Sequence, residues 1–218
     1  LLAGSMQHED SAGNAGDRNP GDVQWMTAGR GIIHSELPHP DCYDAGGLLH
    51  GFQIWVNLPA KHKMMSPRYQ EIPELDSPAV ENEGVWARVI AGECMGVVST
   101  IDTVIPITLI HVKMGPNAVL RQKIDPDLNA MIYAFGGSVK VVNRPGVRSY
   151  PLPLGFGVKQ QVNDGELALL SDGDLIELKC DNAAEFLILA GPEINEPIAR
   201  YGPFVMNTKA EILEAIQD

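Results

Sequence analysis

A chain of 218 residues and 23.6 kDa has room for one large or two modest domains, at roughly 100 to 150 residues each. Its formal charge of −12, with no run of Lys or Arg, argues against direct binding to nucleic acid or to an anionic membrane, since both need basic patches to displace counterions. Apolar residues make up 44% of the chain, and 22 Gly and 16 Pro cut them into short runs, which predicts a mostly β fold.

Leu1 to Asp10 reads as a strand, and SAGNAG over Ser11 to Gly16 is a turn before Asn19 to Asp22 opens the next one, so the chain begins with a hairpin. Gly29 and Gly31 punctuate the passage into Ile32 to Leu37. After a loop marked by Pro38 and Pro40, Leu49 to Leu58 alternates, with Phe52, Ile54, Val56 and Leu58 on one face and Gln53, Trp55 and Asn57 on the other. Pro67 to Gly84, rich in Pro and acid and without a period, reads as an inter-domain linker. The second half repeats the strand pattern at Val85 to Ile90, Ile105 to Met114, Met131 to Val142, Leu167 to Leu170, Asp174 to Lys179 and Glu185 to Ala190. A helix closes the chain. Thr208 and Glu211 form a capping box, and Ile212, Leu213, Ala215 and Ile216 supply its apolar stripe.

Cys42, Cys94 and Cys180 are odd in number, widely spaced and without a CxxC, which supports neither a disulfide framework nor a zinc site. A reducing compartment, the cytoplasm, is expected. No apolar stretch is long enough to span a membrane, and no targeting segment is visible. The chain opens on Leu1, Leu2 and Ala3 as if entered in the middle of an element.

A faint repeat links the halves: Gly21-Asp22 and Gly173-Asp174 each form a turn that feeds a strand, as two related β-barrels would. Thirteen and fifteen residues beyond Gly21 stand His34 and Glu36, whereas the same steps from Gly173 reach Phe186 and Ile188. Residues two apart on a strand share a face. His34 and Glu36 can therefore project together into one barrel while Ser35 faces out, and Ile32 and Ile33 suggest a partly buried site. An imidazole nitrogen and a carboxylate oxygen suit iron, manganese, zinc, nickel or copper. The other histidines carry less. His8 reads as a polar strand-face residue within reach of the same cavity, and His50 as a lesser candidate for lining it. His39 and His62 read as solvated, and His111 as structural. Trp25 and Met26 fit a pocket wall or, more simply, core. There is no Walker loop, GxGxxG, GxSxG or HExxH, which disfavours a hydrolase or a nucleotide enzyme.

The segment GDVQWMTAGRGIIHSE, Gly21 to Glu36, closely resembles the pirin family, and the likeness continues through HGFQIWVNL from His50, KMMSPRYQEIP from Lys63 and GPFVMNT from Gly202. It covers nearly all of the chain, and these motifs are highly specific. The resemblance implies a bicupin: tandem cupin β-barrels with one mononuclear divalent metal, usually iron, in the N-terminal barrel and none in the other. The implied organisation is a partial N-terminal cupin with half of the metal site over residues 1–66, a linker over 67–84, a C-terminal cupin without metal ligands over 85–200, and a tail with a short helix over 201–218. His34 and Glu36 become two of four family metal ligands. The other two belong to a His-x-His motif, typically HPHRGFET, ahead of the Leu-Leu-x-Gly that here starts at Leu1; this sequence does not contain it. The expectation is an N-terminal barrel that is incomplete.

Three functional readings follow from the resemblance. Pirins are similar to quercetin 2,3-dioxygenases, which implies a flavonol substrate with Glu36 as metal ligand and as catalytic base. Other pirins resemble iron-dependent transcription cofactors, which implies a non-enzymatic role through a protein partner and, in some members, a nuclear address. No basic run supports that address. The third reading is a metal-free truncated form with neither activity.

Overall fold

The first predicted strand starts late, because Gly4 bends the chain ahead of it. Gly4 has φ 76°, and a Cβ there would lie 2.8 Å from the Leu48 carbonyl oxygen, so the position needs glycine. The computed structural model describes residues 1–145, 147–149 and 160–217. They divide into a first unit, Leu1–Asp76 with Ile194–Asp218, and a second, Ser77–Glu193.

In the first unit β1 (Met6–Asp10) lies between β2 (Ala15–Arg18) and β4 (His34–Pro38), antiparallel to both, and β3 (Val23–Thr27) pairs separately with β5 (Arg68–Ile72). Two short helices, α1 (Pro40–Ala45) and α2 (Ala60–Lys63), follow β4. Leu49 to Leu58, predicted as a strand, forms no ladder among the described residues apart from a bridge of His50 to Ala3. Alternation specifies which face a strand would show, but a ladder also needs a neighbouring strand with free amides. The predicted linker spans the division between the units after Asp76, but it is not without structure. Its residues fold into β5, a 3₁₀ turn (Glu74–Asp76) and β6 (Ala79–Asn82), too short for a period to register.

The second unit continues through β7 (Val85–Ala91), β8 (Glu93–Cys94), β9 (Val97–Val98), β10 (Thr108–Met114), β11 (Val119–Lys123) and β12 (Leu128–Val141). It ends with β13 (Gln161–Asn163), β14 (Leu167–Leu169), β15 (Leu175–Lys179) and β16 (Ala184–Pro192). Its main sheet runs β11-β15-β12-β16-β10-β7-β6. A bulge between Ala134 and Gly136 lets β12 pair with β16 in its first part and with β13 and β15 in its last. Val89, Ile110, Ile132, Ile176, Phe186 and Ile188 are 0% exposed at the centre of its core. Phe186 and Ile188 occupy the repeat positions that carry His34 and Glu36 in the first half. Apolar core stands there in place of an imidazole and a carboxylate.

The chain returns to the first unit with β17 (Ala199–Tyr201), β18 (Phe204–Met206) and α3 (Lys209–Gln217). The predicted capping box is formed: the Glu211 N–H donates to Thr208 Oγ1 at 3.2 Å, and the Thr208 N–H donates to Glu211 Oε2 at 2.6 Å. All three cysteines are free, and burial pushes the Cys94 thiol up to about 11. Among the described residues no helix is long and apolar enough to cross a membrane. Phe186→Ala, which empties the middle of the second unit's core, should lower stability by about 3 to 5 kcal/mol in urea denaturation.

Candidate metal centre

Both β1 and β4 carry a histidine and an acid two residues apart, His8-Glu9-Asp10 and His34-Ser35-Glu36. The antiparallel register sets His8 opposite Glu36 and Asp10 opposite His34. All four side chains therefore fall on one face, each histidine facing an acid across the ladder. The His8 and His34 ring centroids are 6.0 Å apart. His8 Nδ1 lies 4.0 Å from Glu36 Oε1, and its Nε2 lies 3.8 Å from Asp10 Oδ2. Tyr69 of β5 meets the His8 ring edge-on at 5.3 Å.

His8 is the anomaly of this face. It is 1% exposed, and neither ring nitrogen has a hydrogen-bond partner, because both carboxylates stand beyond bonding range. An unpaired buried polar group costs roughly 1 to 3 kcal/mol, so His8 is held in this place at a cost. Glu36 is oriented by Gln53, whose Nε2 donates to Oε2 at 2.9 Å. Oε1 is left toward His8.

Asp10 has the opposite character. Its Oδ1 accepts from the backbone N–H groups of Ala12 and Asn14 at 2.8 and 2.9 Å, and its Oδ2 from the Asn14 side-chain amide at 2.7 Å. Burial pushes its carboxyl upward, but the Asn14 and Ala12 bonds, with the Tyr69 hydroxyl beside them, outweigh this and hold it below the ordinary carboxylate range. Burial, with the Asp10 charge in support, raises the Tyr69 phenol.

Several expectations change. His34, Ser35 and Glu36 are all exposed, and Ile33 is 81% exposed, so the face is open rather than partly buried. β4 has a ladder partner on one side only among the described residues. His8, read from the sequence as a polar strand-face residue within reach of the same cavity, is buried and sits with the pair. His50 packs against Phe52 at 5.6 Å. His39 is half-buried, and its Nδ1 accepts from the Asp41 N–H at the start of α1 at 3.3 Å. His62 is half-buried in α2. His111 on β10 lies 2.7 Å from the Glu185 carboxylate of β16, and burial pushes its imidazole pKa down. Trp25 and Met26 are half-buried on β3 rather than core. Asp10, Gln53 and Tyr69 were not anticipated. The His-x-Asp spacing at His8 signals the first, and Gln53 lies on the polar side of an alternating run; nothing marked Tyr69, inside the presumed linker.

The donor chemistry of His34 and Glu36 suits a divalent metal, and the His8 imidazole beside them is buried with both nitrogens unengaged. Among the described residues, however, no three His, Cys, Asp or Glu side chains are placed to hold an ion together, and a metal site ordinarily takes three or four protein ligands. His34 and Glu36 by themselves fall short of such a set.

The sheet of the second unit and the polar face of the first define a cupin-type protein. A family model described as the pirin C-terminal cupin domain matches residues 109–218, and one described as pirin matches residues 1–56. The chain belongs to the pirin family. It is 37% identical over 220 residues to human pirin, covering 100% of this chain and 70% of that protein. It is 39% identical over 225 residues to a pirin-like protein of Solanum lycopersicum, covering 100% and 69%. The crystal structure of quercetin 2,3-dioxygenase from Acinetobacter baumannii is 35% identical, with a TM-score of 0.86 over 99% of this chain and 70% of that one.

Because the folded Asp10 pKa lies below its unfolded value of 3.8, its stabilisation is complete above about pH 5. It is lost as the pH falls through 3.8 toward the folded value. Asp10→Asn should therefore destabilise the protein at pH 7, and urea denaturation from pH 7 to pH 3 should show the gap to the parent closing.

Proposed function

We propose that the protein is a metal-dependent pirin that opens flavonols with molecular oxygen, in the manner of a quercetin 2,3-dioxygenase, with His34 and Glu36 among its metal ligands. The observation that supports this reading most is the ladder register, which gathers His8, Asp10, His34 and Glu36 on one face. The 35% identity to a quercetin 2,3-dioxygenase supports the choice of substrate class. Iron is the metal proposed. When bound, it supplies a Lewis-acidic centre that favours the deprotonated flavonol.

The chain's own residues have separable tasks. Gln53 fixes the Glu36 carboxylate by its bond to Oε2. Glu36, held in this way, accepts the proton of the flavonol hydroxyl. His34, two residues along the same strand, presents its imidazole on the same side. Buried His8 offers two unengaged nitrogens to a polar group entering the site.

Two measurements on the purified protein test the reading. Metal analysis after anaerobic loading with iron(II) should give about one iron per chain, reduced in His34→Ala and in Glu36→Ala; a content near zero in the parent contradicts metal dependence. In air, the loaded protein should consume quercetin with oxygen uptake, and Glu36→Ala should slow this by about a hundredfold or more. A fully metallated protein that leaves quercetin untouched would contradict the dioxygenase assignment.

A further inference from the structure

In the second unit, β11 ends its sheet: it pairs with β15 on one side and with no strand on the other among the described residues. The Ile124 N–H donates to the Asp174 carbonyl oxygen, and the Cys180 N–H to that of Ala118. Bonded pairs alternate along an antiparallel ladder. Leu120 and Gln122 therefore turn their backbone groups toward β15, whereas Val119, Arg121 and Lys123 turn theirs to the open side. The side chains of these same three residues are exposed, while Leu120 and Gln122 are buried.

The face along this edge is cationic. Val119 stands opposite Lys179, and Lys179 opposite Lys140, so Arg121, Lys123, Lys140 and Lys179 share one side of the sheet, with Arg144 beside them. Two carboxylates answer them. Glu177, 2% exposed, is held by Arg121 Nε at 2.9 Å, by Arg144, and by Lys179 Nζ at 3.7 Å, so one buried carboxylate faces three cations. Asp181 pairs with Lys140. The Arg121 side chain remains 60% exposed, and those of Lys140, Arg144 and Lys179 are close to half exposed. The cationic stretch ends at Lys123, which shares a shallow depression with Asp125 and Asp174.

We propose that this edge binds an extended acidic segment of a partner protein as an added strand. The segment's backbone pairs with the open groups of Val119, Arg121 and Lys123, and acidic side chains at every second position meet the cationic face. Arg and Lys on an edge strand repel a second copy of the same edge. An acidic strand is its complement. A long polyanion such as duplex DNA fits less well, because the rest of a chain carrying −12 repels phosphates that extend past the patch.

The test uses a fluorescent ten-residue peptide of alternating Glu and Val, titrated by anisotropy into the whole protein with metal chelated, so that the result is independent of the proposed metal chemistry. Saturable binding is expected, weakening with salt and falling about tenfold or more in Lys123→Glu/Lys140→Glu. Neither of those lysines bonds Glu177; should the reversed variant unfold, Lys123→Gln/Lys140→Gln gives the same reading. A peptide of the same composition with its Glu residues in one block should bind more weakly. The proposal is overturned if the peptide does not bind, if the variant binds it as the parent does, or if random duplex DNA binds more tightly than the peptide.

Discussion

The antiparallel pairing of β1 with β4, from Met6 opposite Pro38 to Asp10 opposite His34, decides where every polar group of the first unit's site stands. Slipping this ladder by one residue would send each side chain of β4 to the other face and bring Ser35 or Leu37 beside His8. The register is held at one end by the turn after β1. Asp10 anchors that turn through Ala12 and Asn14, while the Ser11 N–H donates to the Ile33 carbonyl oxygen and Ser11 Oγ accepts from the Ile33 N–H. Asp10 thus serves the site through geometry. Its own oxygens are engaged by the turn, whereas the neighbouring His8 nitrogens are engaged by nothing.

The faint sequence repeat sets different residues at the same spacing in the two units. Gly21-Asp22 and Gly173-Asp174 introduce β3 and β15, each with its glycine at positive φ, 93° and 152°. At equivalent steps beyond, one unit has an imidazole and a carboxylate on an exposed strand, and the other has Phe186 and Ile188 in a closed core. Burying each of those apolar side chains is worth roughly 1.5 to 3 kcal/mol. A histidine or glutamate there would instead have to be desolvated without partners. Those positions thus add to the second unit's core, while the first unit carries titratable side chains on an exposed strand.

Much of this was legible in the sequence where a local signal sufficed. The long strands β10, β12 and β16 stand as apolar-rich runs between turn residues, the Thr208-Glu211 box caps α3 as written, and the His-x-Glu spacing put His34 and Glu36 on one face. What depended on a second segment was not legible. The alternation of Leu49 to Leu58 cannot say whether a strand lies alongside, and β5 and β6 are recognisable only through their partners β3 and β7. His8 reads only as a polar strand-face residue until the register and Tyr69 are known. The absence of a basic run likewise concealed a cationic face, because Arg121, Lys140, Arg144 and Lys179 are brought together only by the β11-β15-β12 order.

Site-resolved NMR of the protein titrated with substoichiometric manganese(II), whose unpaired electrons broaden signals close to where it binds, tests most directly whether His34 and Glu36 take a metal. With His34 and Glu36 as metal ligands, the signals of His34, Glu36, His8 and Gln53 broaden first, and those of His111 and Glu185 stay unchanged. Broadening spread over exposed carboxylates elsewhere, with His34 and Glu36 sharp, would contradict that role.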